Sequence, residues 1–184
     1  MQMTQAKRGK LTPQMEMVAR EEKKAPISIM RGVAAGRIVI PNNVRRDGIR
    51  SVGIGEGLRT KINANVGTSP DYVRPEEEVR KAEVAVRCGA DAVMDLSIGG
   101  DLDEIRQRIL KAVDVPLGTV PIYQAATEAA KRGQDVIDMS SDGIFNAVRK
   151  HAEDGVDFVT VHCGVTKNAV EVLRRTGRLL QVVS

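Results

Sequence analysis

The sequence predicts an α/β protein, namely part of a (β/α)8 barrel of the TIM type with about five parallel strands, preceded by a mainly helical N-terminal segment. From residue 61 onward, short apolar runs alternate with helical patterns at spacings of roughly 20–40 residues, which is typical of βα units. Neither G-x-G-x-x-G nor G-x-x-x-x-G-K-[ST] is present, which disfavours a doubly wound nucleotide-binding fold. A complete barrel normally needs about 250 residues, whereas this chain has 184. We therefore expect only part of a barrel.

The barrel part is predicted over residues 58–184. Its helix starts carry clear signals, since Pro75 precedes three glutamates, and Asp101 with Glu104 forms a near capping box. The predicted strands are 61–66, 92–97, 117–123, 158–163 and 179–183, and the predicted helices are 75–87, 101–112, 124–132, 142–153 and 166–175.

Residues 1–57 form the predicted N-terminal segment. Thr12 is a suitable N-cap with Pro13 at the first helical position, and Pro26 separates two short helices before residue 36. A short strand is predicted at residues 37–41, followed by a loop that reaches the barrel part.

The charge of the chain is uneven. Residues 1–60 hold 12 Lys and Arg against 5 Asp and Glu, whereas the whole chain has a formal net charge of only +4. A basic segment of this kind could bind nucleic acid, phosphate or an acidic partner. Only two tyrosines, two phenylalanines and no tryptophan are present, too few to stack single-stranded bases. We therefore expect no nucleic-acid partner and a solvated, partly mobile N-terminal arm.

The cysteine count and the hydropathy exclude other classes. Cys88 and Cys163 are the only cysteines, so a disulfide scaffold is excluded by number and a cysteine metal knuckle by spacing. We expect no metal site in this chain and a reducing, cytoplasmic compartment. No apolar run is long enough to cross a membrane, and the N-terminus has no signal-peptide pattern.

Candidate site residues lie at the ends of the predicted strands, where barrel enzymes place their functional groups. Alternation places Asn63 and Asn65 on the face opposite Ile62 and Val66, which would be the barrel interior. In the second strand, alternation alone favours Asp95, with Ser97, as the functional residue. The same pattern makes Met94 an ordinary core residue.

The third and fourth strands offer further candidates. Tyr123 ends the third strand, and His162 follows Thr160 on one face of the fourth. A histidine at a strand end can transfer protons, bind phosphate or ligate a metal. His151 lies in a charged helix, so we expect it to be solvated. Cys163 and His162 point to opposite faces of a strand, which disfavours a nucleophile pair.

Two glycine-rich stretches leave alternatives open. Residues 53–61 combine glycines with Arg59 and Lys61, which suits either a phosphate site or a flexible loop that enters the first strand. Gly99 and Gly100 permit the backbone to approach a ligand or simply make a tight turn, and the turn is slightly favoured.

Several long motifs, in order along the chain, resemble phosphomethylpyrimidine synthase, a family of thiamine biosynthesis. They are GEGLRTKINANVGTS at residues 55–69, VMDLSIGG at 93–100, GTVPIYQA at 118–125 and AEDGVDFVTVHCG at 152–164. The stretches TPQME at 12–16 and IVIPN at 38–42 are similar to the N-terminal segment of the family. The resemblance therefore covers essentially the whole chain.

The resemblance implies a radical S-adenosylmethionine lyase on a (β/α)8 barrel. The family rearranges 5-aminoimidazole ribonucleotide into 4-amino-2-methyl-5-phosphomethylpyrimidine and uses a [4Fe-4S] cluster and S-adenosylmethionine. Carried over motif by motif, the residues that would contact the substrate are Asn65, Met94, Tyr123, His162 and Ser184. For Met94 we follow the family rather than the alternation, on the expectation that the end of the strand bends out of phase. A cytoplasmic homodimer is implied for the full-length form, and no catalytic residue is assigned.

The departures from the family also matter. The CxxCxxxxC motif that holds the cluster is absent, as are the later strands with histidines that bind zinc or another divalent metal. Without a cluster, no electron reaches S-adenosylmethionine, so we expect this chain alone to be inactive. Residues 42–46 instead resemble the paralogous 5-hydroxybenzimidazole synthase, which uses the same substrate. A non-catalytic truncated fragment is the other alternative.

Overall fold

The computed structural model describes residues 1–177 and shows a mixed α/β protein. The N-terminal segment contains α1 (Gln2–Lys7), α2 (Pro13–Glu21), α3 (Pro26–Ala34), β1 (Ile38–Val39) and β2 (Ile54–Gly55), and the two strands pair antiparallel. Thr12 caps α2 as predicted, since its hydroxyl accepts a hydrogen bond from the Met15 amide.

The expectation of a mobile N-terminal arm is wrong. Residues 2–7 form a helix whose Ala6 is buried in a core cluster with side chains of α2, α3 and β1. Met15, Val18, Ile29 and Val33 belong to this cluster, and each is at most 2% exposed. Apolar burial therefore anchors the start of the chain.

A four-stranded parallel sheet forms the second part, in the order β3–β4–β5–β6. Its strands are β3 (Asn63–Val66), β4 (Ala92–Asp95), β5 (Leu117–Thr119) and β6 (Phe158–Val159), and its helices are α4 (Pro75–Arg87), α5 (Leu102–Ala112), α6 (Pro121–Lys131), α7 (Ser141–Asp154) and α8 (Lys167–Thr176), with a 3-10 turn at Val136–Asp138. The predicted fifth strand, residues 179–183, lies outside the described residues. The alternation of strands and helices is therefore confirmed for the four units that the structure describes.

All four described strands are shorter than predicted, the first two by two residues each and the third and fourth by four each. The third was expected to run to Tyr123, but β5 ends at Thr119 and Pro121 opens α6. Proline lacks an amide hydrogen and suits the first turn of a helix, so it ends the ladder here. The fourth was expected to run to Cys163, but β6 ends at Val159, which is opposite the last residue of β5.

The register of the sheet defines its two faces. Val66, Asp95 and Thr119 are neighbours across β3, β4 and β5, as are Asn65 and Met94 one residue earlier. The first row lies on the face covered by helices, since Val66 belongs to the same core cluster as residues of α4 and α5. Asn65 therefore belongs to the opposite face, where its side chain is exposed.

Basic residues of the N-terminal half bind at the starting ends of the strands. Arg46 forms an ion pair with Asp157, the residue before β6, and donates to the Leu110 and Val113 carbonyls at the end of α5 at 3.1 and 2.6 Å. Arg59 binds both carboxylate oxygens of Asp91, the residue before β4, at 2.5 and 3.0 Å. These two arginines therefore contribute to folding.

None of the helices described in residues 1–177 is long and apolar enough to cross a membrane.

Candidate functional site

The structure places Asn65 and Met94 near the carboxyl ends of two neighbouring strands, and Tyr123 and His162 after the ends of the next two. Asn65 and Met94 are direct partners in the register of β3 and β4, on the face away from the helices. Met94 is 8% exposed, whereas Asn65 is exposed. Because the carboxyl ends of parallel strands meet at one edge of a sheet, both side chains belong to the edge where barrel enzymes bind substrate.

Tyr123 and His162 do not lie on strands, contrary to the sequence prediction. Tyr123 lies in the first turn of α6, behind Val120 and Pro121. His162 lies in the loop that follows β6 and is exposed. Both residues nevertheless follow the carboxyl ends of the next two strands in the sheet. Ser184 lies outside the described residues.

Asp95 and Met94 lie on the faces opposite to those that the alternation argument assigned to them. Asp95 shares the helix-covered face with Val66, and its carboxylate accepts hydrogen bonds from the Ser97 hydroxyl at 2.5 Å and the Ser97 amide at 2.9 Å. Burial raises the pKa of Asp95 above its ordinary value. Met94 faces the same side as Asn65 with no bend of the strand, so the expected loss of phase was the wrong explanation.

The glycine pair after β4 serves loop packing. A side chain at Gly99 would collide with the backbone of Ser69 and Pro70 in the loop after β3. The same two loops are joined by the Thr68 hydroxyl, which donates to the Gly99 carbonyl at 2.6 Å, and by the Thr68 amide, which donates to the Ser97 hydroxyl at 3.2 Å. The close approach that requires glycine is therefore made by backbone of the chain itself.

A buried polar cluster lies behind the site, between β5 and the helices α5, α6 and α7. Its centre is Arg106, which is 2% exposed. The guanidinium donates to the Asp154 and Asp103 carboxylates at 2.5 to 3.0 Å. It also donates to Gln124 Oε1 at 2.9 Å and lies 3.2 Å from His151 Nε2. All five guanidinium hydrogens thus have an acceptor, provided that His151 Nε2 is unprotonated.

The expectation of a solvated His151 is wrong. The residue is 3% exposed, and its Nδ1 lies 2.8 Å from the Thr119 hydroxyl. Nε2 lies 3.2 Å from both Arg106 Nη1 and Gln124 Oε1, so it accepts from Arg106 when the ring proton is on Nδ1 and donates to Gln124 when the proton is on Nε2. Burial, followed by the charge of Arg106, lowers the pKa of His151 to about 4. The ring is therefore neutral at physiological pH.

A helical pattern in the sequence could have revealed this burial. Ile144, Ala147, Val148 and His151 recur at helical spacing in α7, and all four are at least partly buried. The charges of the neighbouring Arg149 and Lys150 conceal this pattern in the sequence.

The glycine-rich stretch before β3 does not present free cations. Arg59 binds Asp91, and Lys61 Nζ lies 2.8 Å from Glu22 Oε1. Burial alone would raise the pKa of Asp91, but hydrogen bonds from Arg59 and the Ile62 amide outweigh it and lower this pKa. Both cations lie at the starting ends of the strands, opposite the candidate site, so the structure favours a folding role over a phosphate site.

Residues 42–46, which resemble the paralogue, lie away from the candidate site. The Asn43 side chain donates to the Ala152 and Val156 carbonyls at 2.8 Å, and Arg46 binds Asp157, all ahead of β6. These contacts belong to the starting ends of β5 and β6, so the departure does not alter the candidate site.

The residues present do not fit an iron–sulfur cluster of the kind the resemblance implies. The described Cys88 and Cys163 are both exposed, and within residues 1–177 no three His, Cys, Asp or Glu side chains are grouped to hold a metal. A [4Fe-4S] cluster is held by cysteine thiolates, normally four, and the whole sequence has two cysteines.

Comparison with known proteins agrees with the motifs. Residues 1–184 match the model of the Radical SAM ThiC family. The chain belongs to this family. The family resemblance predicted from the sequence is thus confirmed.

Relatives described as phosphomethylpyrimidine synthases support the same assignment. A phosphomethylpyrimidine synthase of Pyrococcus furiosus is 54% identical over 183 residues, which is 100% of this chain and 43% of the relative. Those of Methanopyrus kandleri and Methanosarcina mazei are 59% identical over 168 residues and 56% identical over 182 residues, covering 91% and 99% of this chain and 39% and 41% of the relatives. The chain therefore spans about two fifths of the length of these relatives.

Proposed function

We propose that this chain is the substrate-binding part of a phosphomethylpyrimidine synthase and forms part of a (β/α)8 barrel. The full-length protein would convert 5-aminoimidazole ribonucleotide into 4-amino-2-methyl-5-phosphomethylpyrimidine in thiamine biosynthesis. Membership of the family, the names of the relatives and the parallel four-stranded sheet support this proposal.

The observation that carries the proposal is the register of β3 and β4, which sets Asn65 beside Met94 on the open face at the carboxyl edge. Tyr123 and His162 follow the next two strands at the same edge. The Asn65 amide can donate hydrogen bonds to the substrate and accept them from it, and the Tyr123 hydroxyl and the His162 ring add further polar contacts. Met94 offers an apolar contact to the ring of the substrate. Ser184 is proposed as a fifth contact on the family motif alone.

This chain binds and orients the substrate, and the barrel mouth shields it from water. The family uses a [4Fe-4S] cluster and S-adenosylmethionine, and the cluster would be held by cysteines outside this chain. Zinc or another divalent metal would also be bound outside it. We infer a homodimer in the cytoplasm for the full-length form, without nucleic acid or membrane as a partner.

The test uses a full-length chimera, defined as residues 1–184 of this chain joined to the segment of the Pyrococcus furiosus relative that follows the matched region. Titration calorimetry measures its affinity for 5-aminoimidazole ribonucleotide, without S-adenosylmethionine. Asn65→Ala and His162→Ala should each weaken binding by about 1–3 kcal/mol, the usual effect of removing one buried hydrogen-bonding partner. Asn146→Ala is the matched control, since Asn146 is exposed on α7, and should leave the affinity unchanged.

Unchanged affinity in both site variants would reject the site assignment. Anaerobic turnover of the chimera then identifies the reaction. The pyrimidine product supports the proposal, whereas 5-hydroxybenzimidazole identifies the paralogous activity. A chimera that binds no ribonucleotide at all would leave this chain as a non-catalytic fragment.

A further inference from the structure

Gln124 connects the candidate site to the Arg106 cluster. It is the residue after Tyr123 in the first turn of α6, and it is 4% exposed. Its Oε1 accepts from Arg106, while its Nε2 donates to Asp103 Oδ1 at 3.1 Å and to Glu128 Oε1 at 2.8 Å. Every hydrogen-bonding atom of this buried amide therefore has a partner, which defines its orientation.

This amide ties the first turn of α6 to α5. The N-cap of α6 is Val120, whose side chain cannot accept a hydrogen bond, so the start of the helix has no side-chain cap. Gln124 instead ties the turn to α5, where Arg106 is itself held by Asp154 and Asp103. Tyr123 and Gln124 also line one small cavity together with Arg106 and His151.

From this geometry we propose that Gln124 is a positioning residue, which holds Tyr123 through the Arg106 cluster in the orientation that binds the substrate. The inference rests on the proposed function. Gln124 acts behind the sheet and does not touch the substrate itself. A displacement of the order of 1 Å at a contact can cost a large factor in activity, so a side chain behind the site can control affinity.

A merely structural role would give a different result. If Gln124 only stabilises the fold, its replacement lowers the melting temperature and affects affinity equally whether or not Tyr123 is present. If it positions Tyr123, its effect on affinity disappears once Tyr123 is removed, because residues that act as a unit are not additive. A double-mutant cycle distinguishes these cases.

The cycle measures the Kd of the full-length chimera for 5-aminoimidazole ribonucleotide with Gln124→Met, Tyr123→Ala and both substitutions. Gln124→Met should raise Kd about tenfold in the parent and by less than about twofold in the Tyr123→Ala background. Gln107→Met is the matched control. Gln107 lies beside Arg106 on α5, and its amide makes only a 3.4 Å contact with the Asp154 carbonyl, so its replacement should not change Kd.

Two further variants keep the proposal testable if Gln124→Met fails to fold. Arg106→Lys keeps the positive charge but removes the guanidinium nitrogen that contacts both Gln124 and His151. Its effect on Kd should likewise require Tyr123. The exchange Gln124→Glu with Glu128→Gln preserves the acceptor for Arg106 and a hydrogen bond between positions 124 and 128, but it replaces the donor to Asp103 by a carboxylate. It should therefore restore only part of the affinity, and only when Tyr123 is present.

The outcomes separate the two proposals. Equal losses in both Tyr123 backgrounds, or an equal loss from Gln107→Met, would overturn the positioning role and leave the site assignment intact. An unchanged Kd in Tyr123→Ala would instead reject Tyr123 as a substrate contact and, with it, the role of Gln124.

Discussion

Arg46 and Arg106 are both largely buried and both pair with an aspartate, but they differ in their remaining partners. Arg46 donates to the carbonyls of Leu110, Val113 and Val115, at the starting ends of the strands. Arg106 instead contacts the side chains of Gln124 and His151. Apart from its aspartate, Arg46 is held by backbone carbonyls. Arg106 is held by side chains that can be protonated or substituted.

The two arginines also lie toward opposite ends of the parallel strands. Arg46 lies at the starting ends, and the Arg106 cluster includes His151, which contacts Thr119, the last residue of β5. In barrel enzymes the starting ends carry stability and the carboxyl ends carry function. Backbone carbonyls do not change their charge with pH, so the three carbonyl contacts of Arg46 do not depend on pH. The Arg106 cluster includes His151 and Gln124, so protonation or a single substitution can alter the support of the site. We expect damage to Arg46 to unfold the chain and damage to Arg106 to change binding.

The largest predicted effect is that of Asp157→Ala. The Asp157 side chain is fully buried, binds Arg46, and accepts from the Asn43 and Leu117 amides at 2.8 and 2.9 Å. Its removal leaves a buried guanidinium without its anion, which should cost about 3–5 kcal/mol of unfolding free energy. Urea unfolding followed by circular dichroism measures this loss.

Asp157→Asn separates charge from hydrogen bonding, since it keeps an acceptor at the same position. An intermediate loss is expected. If Asp157→Ala costs under about 1 kcal/mol, Arg46 is not the anchor that its contacts suggest, and the contrast with Arg106 fails.

The second prediction concerns pH. The pKa of His151 is about 4 when folded, against about 6.5 in an unfolded chain. Between these values His151 binds a proton in the unfolded chain but not in the folded one. The free energy of unfolding is therefore unaffected by the protonation of His151 above about pH 6.5 and falls as the pH drops toward 4. From pH 7 to pH 5 the loss should be about 1–2 kcal/mol.

His151→Asn is the comparison variant, because it keeps a donor near Thr119 but does not titrate. Urea unfolding at pH 5, 6 and 7 should show a shallower pH dependence in this variant. The neighbours Arg106, Lys150, Asp103 and Asp154 are common to both proteins, as is Asp95, whose raised pKa acts in the opposite sense. An identical slope in the two proteins would show that His151 does not govern acid sensitivity.

Local signals in the sequence predicted the helices well, because caps and periodicity depend on neighbours along the chain. Thr12 and Asp101 cap α2 and α5 as expected, and α4 has the predicted bounds. The strand ends were predicted less well. A proline after a strand is compatible with either a strand or a helix start, and only the partner strand decides where the ladder stops.

The site was predicted for Asn65 from alternation, and for Met94 only from the family resemblance. Alternation gives the two faces of one strand but cannot relate them to the faces of the next, which requires the register. The Arg106 cluster was missed for a similar reason. Its members are separated by up to 51 residues in sequence, from Asp103 to Asp154, so no local pattern joins them.

The smallest predicted effect is that of Glu56→Gln. Arg37 and Glu56 form an ion pair at 3.4 Å, but their side chains are 60% and 66% exposed. Water and salt screen such a pair, and its removal should cost under about 0.5 kcal/mol in urea unfolding, less still at high salt. The pair belongs to the same basic segment as Arg46, so it tests whether burial or merely charge in this segment stabilises the fold. A loss close to that of Asp157→Ala would mean that the net charge of the segment matters more than its buried contacts.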